Sequence, residues 1–292
     1  MNLIQTTDHI KTFHPDGSYD LVIRDTAKIA PKAFWRDTRL RSVTIPGSVK
    51  EIGPGAFLGC TGLTSVTISG GVTEIGPRAF QECTGLRKVT IPGSVKKIGP
   101  CAFEGCTGLR NVTISMGVTK IGPWAFCGCT GLREVTISGV TEIGPYAFFG
   151  CTGLTKVNIL EGVTEICSGA FEGCTGLGNV TIPGSVKEIG LGAFQDCTRL
   201  TEVRIPRSVK KIGSHAFHGC TGLGRVILPK SFTLPGLRQS QLKIGNLKDI
   251  PGLEESLWVI IFGCQEFGVP RELIIIIIET WVNTHYKLLV AQ

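Results

Sequence analysis

The sequence is poor in charge and in several large side chains. Only 18% of its 292 residues are charged, and it has two methionines, three tyrosines and four tryptophans. A low charge fraction beside 42% hydrophobic residues excludes a disordered chain. The longest apolar stretch near the end, residues 273–278, falls far short of the about 20 residues that span a bilayer. Residues 1–9 lack a basic start followed by an apolar segment, so a secretory signal is not expected. No Cys-x-x-Cys pair, phosphate-binding glycine motif or Ser-His-Asp order stands out, so redox, nucleotide and triad chemistry are not expected. The net charge of +7 comes from scattered Lys and Arg and reads as a solvated surface.

What is present is a repeat. Phe34, Phe57, Phe80, Phe103, Phe126, Phe148, Phe171, Phe194 and Phe217 lie 23 residues apart, with one step of 22 between Phe126 and Phe148. A fixed period of this size means stacked structural units, each contacting its neighbours. Eight cysteines share one position of the unit: Cys60, Cys83, Cys106, Cys129, Cys151, Cys174, Cys197 and Cys220. They read as small buried hydrophobes with weak S–H donors, reduced rather than cross-linked.

Residues 63–85 serve as the type unit. Val66 and Ile68 are β-branched and two apart, which predicts a short strand with both on one face and Ser65 and Thr67 on the other. Ser69-Gly70-Gly71 turns the chain, and sister units place Pro-Gly-Ser there. Val72 to Ile75 predicts a second extended segment with Glu74 exposed. Gly76-Pro77 predicts a helical turn, because proline suits the first helical position. Ala79, Phe80 and Cys83 then share a buried side, and Gly85 suits a left-handed cap. The expected class is an α/β repeat solenoid, β-dominated, with short parallel strands and short helical turns. Residues 1–40 form an N-terminal cap and degenerate first unit, in which Asp37 replaces the column cysteine. Residues 41–229 carry the repeats, and residues 230–292 are a linker and C-terminal cap or small helical element. Helices are expected from Asp249 through Phe262 and from Val269 into residues 274–278, with a buried strand as the rival for the isoleucine run.

The pattern Ile52-Gly53…Ala56-Phe57…Cys60…Leu63…Val66…Ile68, repeated through Val226, resembles the BspA-type leucine-rich repeat. The resemblance implies a curved, right-handed solenoid with a protein-interaction role. It also implies an alternative, a cell-surface adhesin, since some family members look like adhesins. The segment Pro270-x-Glu272-Leu273…Ile277-Ile278…Trp281 faintly resembles the start of an F-box, which implies a distant alternative as a substrate-recognition subunit.

Function is therefore sought on the surface, as a non-enzymatic scaffold with a protein partner, no nucleic acid, no cofactor, no transmembrane segment and a cytoplasmic location. Two regions qualify. One is the variable outward strand column, with Lys88, Asn111, Glu134 and Lys156. The other is aromatic: Trp124 and Tyr146 stand before Ala-Phe in adjacent units, with Phe149 close by, the composition of a binding hot spot. Glu74 with Lys97, and Glu188 with Lys211, are expected to pair across units. His215, His218 and Cys220 are the nearest approach to a metal set. Cys220 belongs to the structural column, so no metal is expected.

Overall fold

The computed structural model describes residues 2–5, 9–24, 26–228, 242–245, 257–262, 274–279 and 288–291. Within them the repeat winds into coils, and three ladders run along the stack.

The first ladder is built from the Val-x-Ile segments. Ser65–Ile68, Lys88–Ile91, Asn111–Ile114, Glu134–Ile137 and Lys156–Ile159 follow one another in parallel. The register is strict: Val112 faces Val89 and Val135, and Ile114 faces Ile91 and Ile137. Valine and isoleucine point inward and the residues between them point outward, the period of two that a half-buried strand requires. The second ladder is a nine-stranded parallel sheet of two-residue strands, such as Glu74–Ile75 and Lys97–Ile98.

The third ladder corrects an expectation. The segment opened by Gly-Pro is not a helix, and no helix occurs among the described residues. The amides of Ala79, Gln81 and Cys83 donate three residues back within the coil, to Gly76, Arg78 and Phe80. The alternate amides, Arg78, Phe80 and Glu82, donate to Pro100, Ala102 and Glu104 of the next coil, at 2.7–2.9 Å. A helix would direct all of these bonds inside the coil. Here the left-handed residues Arg78 (φ 56°) and Glu82 (φ 59°) turn every second peptide toward the neighbour. The left-handed position is thus Glu82, not Gly85. Gly85 is required for another reason: a Cβ there would lie 2.5 Å from the Thr61 carbonyl oxygen of the preceding coil.

Stacking brings the phenylalanines into one file. Rings from Phe34 to Phe217 lie 5.1–5.5 Å apart, with planes within 8° of parallel. Phe57 through Phe194 are fully buried. Burying one such ring is worth about 1.5–3 kcal/mol, and neither face of an internal ring is covered without both neighbouring coils. The thiol column lies beside the file. Each column cysteine donates its S–H to the phenylalanine carbonyl of the preceding coil, as Cys106 does to Phe80 at 3.1 Å and Cys129 to Phe103 at 3.2 Å. In the first unit Asp37 instead accepts from the Tyr19 hydroxyl and the Arg39 amide. The 22-residue coil loses its residue at the turn around Ser138 and Gly139, and both ladders pass it in register.

At the N-terminal end, Asn2–Gln5, His9–Phe13 and Tyr19–Ile23 pair antiparallel, and Tyr19–Ile23 leads parallel into Leu40–Ile45. Towards the other end, Leu257–Phe262 is a strand where a helix was expected. The isoleucine run Ile274–Glu279 is also a strand, pairing parallel with Arg225–Leu228 and antiparallel with Leu257–Phe262. Five consecutive β-branched residues favour that outcome over a helix. The F-box-like segment falls largely outside the described residues, including Pro270, Glu272, Leu273 and Trp281.

Candidate interaction surfaces

The aromatic cluster is assembled by the third ladder. Trp124 and Tyr146 occupy the first left-handed position of adjacent coils, with φ of 59° and 55°. A non-glycine residue there costs about 1–2 kcal/mol; sister coils use Gly55, Gly169 and Gly192, or Lys32, Arg78, Cys101 and His215, at this place. The two rings stack at 4.4 Å with 14° between planes. Phe149 meets both edge-on, at 5.6 and 6.0 Å. Such pairs add about 0.5–1.5 kcal/mol to simple burial. Tyr146 lies over Gly169 of the next coil, where a Cβ would approach its Cε1 to 2.3 Å. Gly169 is therefore a residue of the ridge that its own sequence context does not reveal. The cluster is still accessible, with Trp124 37% exposed.

The strand column is also brought together. Lys88, Asn111, Glu134 and Lys156 occupy successive rungs of the first ladder. Half of it is turned on itself: Glu134 Oε1 accepts from Lys156 Nζ at 3.2 Å and from Asn158 Nδ2 at 3.0 Å. Lys88 and Asn111 are exposed. On the second sheet Glu188 pairs with Lys211 as expected, and its carboxylate raises the lysine above its ordinary value. Glu74 and Lys97 are register partners that form no ion pair; Lys28 and Glu51, and Lys120 and Glu142, pair at 2.8 Å instead.

Side chains with chemical potential are muted. Cys101 is pushed up to about 11 by burial and by its hydrogen bond to Glu104. Cys127 is pushed up to about 12 by burial and the same carboxylate's charge. Thiols so raised are protonated at neutral pH and poor nucleophiles. Cys167 stands in a row otherwise held by Gly144 and Gly190, with its Sγ 3.3 Å from Glu165 Oε1 and 3.7 Å from Glu142 Oε1. Burial first, then Glu165 and Glu142, raises it well above the ordinary thiol range. His215 and His218 meet edge to face at 5.4 Å. Among the described residues no three metal-ligating side chains gather, and no helix is long and apolar enough to cross a membrane.

A family model for the BspA type leucine rich repeat region matches residues 27–153 and 125–238, in six copies. The chain belongs to the BspA-type leucine-rich repeat family. Among solved structures, this BspA-type chain is similar to a T. pallidum leucine-rich repeat protein at 25% identity, over 76% of this chain and 91% of that one, with a TM-score of 0.47. A leucine-rich repeat protein from Bacteroides ovatus matches at 21% identity, over 78% and 94%, with a TM-score of 0.34. The pneumococcal vaccine antigen PcpA matches at 19% identity, over 78% and 81%, with a TM-score of 0.37. No curated protein sequence matches the chain.

Proposed function

We propose that this BspA-type repeat protein is a non-enzymatic interaction scaffold that docks a protein partner on the Trp124–Tyr146–Phe149 ridge. One observation carries the proposal. Two large aromatics sit at a backbone position that glycine fills without strain, and the next coil gives up its side chain at Gly169 to seat Tyr146. Sister coils fold with glycine, lysine, arginine, cysteine or histidine at this position, so the fold requires no aromatic there, and the exposed pair points to recognition. The exposed Lys88 and Asn111 of the strand face supply a second, polar contact surface.

The proposal extends to a cytoplasmic location. A column of thiols donating to backbone carbonyls suits a reducing compartment, and cell fractionation tests this. It extends also to a right-handed winding, the hand that parallel strands take when joined by crossovers.

The test is affinity capture from the native source with wild-type chain and with Trp124→Ala/Tyr146→Ala. Loss of the captured partner by a variant that stays folded is expected, its melting temperature lowered only by the lost ring stacking. Equal recovery by the two proteins refutes the ridge as the docking point. Lys88→Glu/Lys156→Glu assigns the strand face its share.

A further inference from the structure

Three arginines form an uncompensated file. Arg87, Arg110 and Arg133 each stand just before a strand of the first ladder, and all are exposed. The Arg110 amide donates to the Arg87 carbonyl at 2.8 Å, and the Arg133 amide to the Arg110 carbonyl at 2.8 Å. The three side chains therefore start from consecutive rungs, about 4.8 Å apart. Lys88 adds a fourth exposed cation beside the first.

Several other charges on this solenoid are answered by the protein itself. Glu134 pairs with Lys156, and Glu202 with Arg225. The row Glu142, Glu165 and Glu188 on the second sheet is closed at both ends, by Lys120 and Lys211. The arginine file has no such closure: among the described residues none of its guanidiniums, nor the Lys88 ammonium, has an ion-pair partner. The equivalent positions before and after the file are threonines, Thr64 and Thr155, and Thr155 turns its hydroxyl to the Arg133 carbonyl at 3.0 Å. The nearest carboxylate on the ladder, Glu134, is taken. Like charges on adjacent rungs destabilise a sheet, so the file works against the fold that carries it.

We propose that Arg87, Arg110 and Arg133, with Lys88, form a docking strip for an acidic segment of a partner protein. This rests on the protein-interaction reading above and adds a second, electrostatic contact on the strand side of the coil. Guanidinium forks grip carboxylates in pairs of parallel hydrogen bonds. An extended peptide places alternate side chains on one face about 6.8 Å apart, a spacing that long arginine stems on 4.8 Å rungs can follow. Single-stranded nucleic acid fits less well, since Lys88, Asn111 and Glu134 beside the file offer no aromatic face for bases. The chain's own glutamate row is not the occupant, because two of its three members already hold lysines.

The test uses the full chain and a fluorescein-labelled peptide of alternating Glu and Ser, read by anisotropy at low and high salt. Salt-sensitive binding is expected, weakened at least about tenfold by Arg87→Gln/Arg110→Gln/Arg133→Gln. The control Arg199→Gln/Arg207→Gln/Lys210→Gln removes as much charge elsewhere and should bind like wild type. The file variant should also melt at the same temperature as wild type or higher, because it sheds repulsion. The proposal is overturned if the peptide does not bind, if both variants bind alike, or if the file variant melts lower. It is equally overturned if an oligonucleotide or a sulfated glycan competes more tightly through the same arginines. Failure here with the Trp124→Ala/Tyr146→Ala result intact removes the strip and leaves the ridge.

Discussion

Raising the pH should unravel the coils through their thiols. An ordinary thiol has a reference value of 9.0; burial pushes Cys60 and Cys106 up to about 12 and holds Cys83, Cys129 and Cys174 well above it. The folded state thus keeps protons that the unfolded chain releases. The stabilisation is complete below pH 9 and is lost as the pH climbs toward 12. At pH 10 an unfolded thiol is mostly ionised, and each thiol still protonated in the fold then costs on the order of 1 kcal/mol of stability. Cys60 and Cys106 alone then amount to about 3 kcal/mol, a sizeable share of the about 5–15 kcal/mol typical of a folded protein. The assay is urea unfolding with reductant present, at steps from about pH 8 to about pH 10. Cys106→Ala should lose stability at neutral pH, through its missing bond to the Phe80 carbonyl, yet fall less steeply with pH. Lysine and tyrosine ionisation is common to both proteins, so the difference in slope isolates the thiol. Equal unfolding midpoints at the two ends of that pH range would refute the buried, protonated thiols of Cys60 and Cys106.

Gly169→Ala and Gly192→Ala meet the same left-handed strain, at φ 61° and 59°, but only Gly169 lies under the Tyr146 ring. Gly192→Ala should cost about 1 kcal/mol; Gly169→Ala should cost more and shift Trp124 emission, as read by urea unfolding and fluorescence. Phe103→Ala should cost about 3–5 kcal/mol, because the gap opens against Phe80 and Phe126 together; calorimetry checks it. Lys156→Ala removes an exposed pair with Glu134 and should cost less than about 1 kcal/mol, seen as almost no change in melting temperature.

The period made the stacking readable from the sequence, because Phe, Cys, Val and Ile recur at fixed places and only an aligned stack buries them all. The third ladder was not readable. Gly-Pro followed by Ala, Phe and Cys at helical spacing looks like a capped helical turn. What breaks the helix is a left-handed backbone at Arg78 and Glu82, residues that carry no signal for it. Gly85 misled for a related reason, since its small size answers a carbonyl in the preceding coil and not its own φ. The aromatic ridge was visible as two aromatics at equivalent positions, whereas its seat at Gly169 emerges only when one coil lies on another. The arginine file shows the repeat's spacing in the sequence, but its lack of acidic partners is a fact of side-chain placement. Leu257–Phe262 read as a helix by its flanking proline and Ile274–Glu279 as a helix with a buried strand as its rival, and strand pairing made both strands.

The account rests on each turn of the solenoid sealing the next. Native-state hydrogen exchange tests this at the amides of Phe80, Phe103, Phe126 and Phe148, which donate across to Ala102, Ala125, Ala147 and Ala170 of the following coils. These four should exchange only through unfolding of the stack, with protection close to the global stability. Exchange as rapid as that of the exposed turn at Met116 would mean the rings are wet and the coils do not seal.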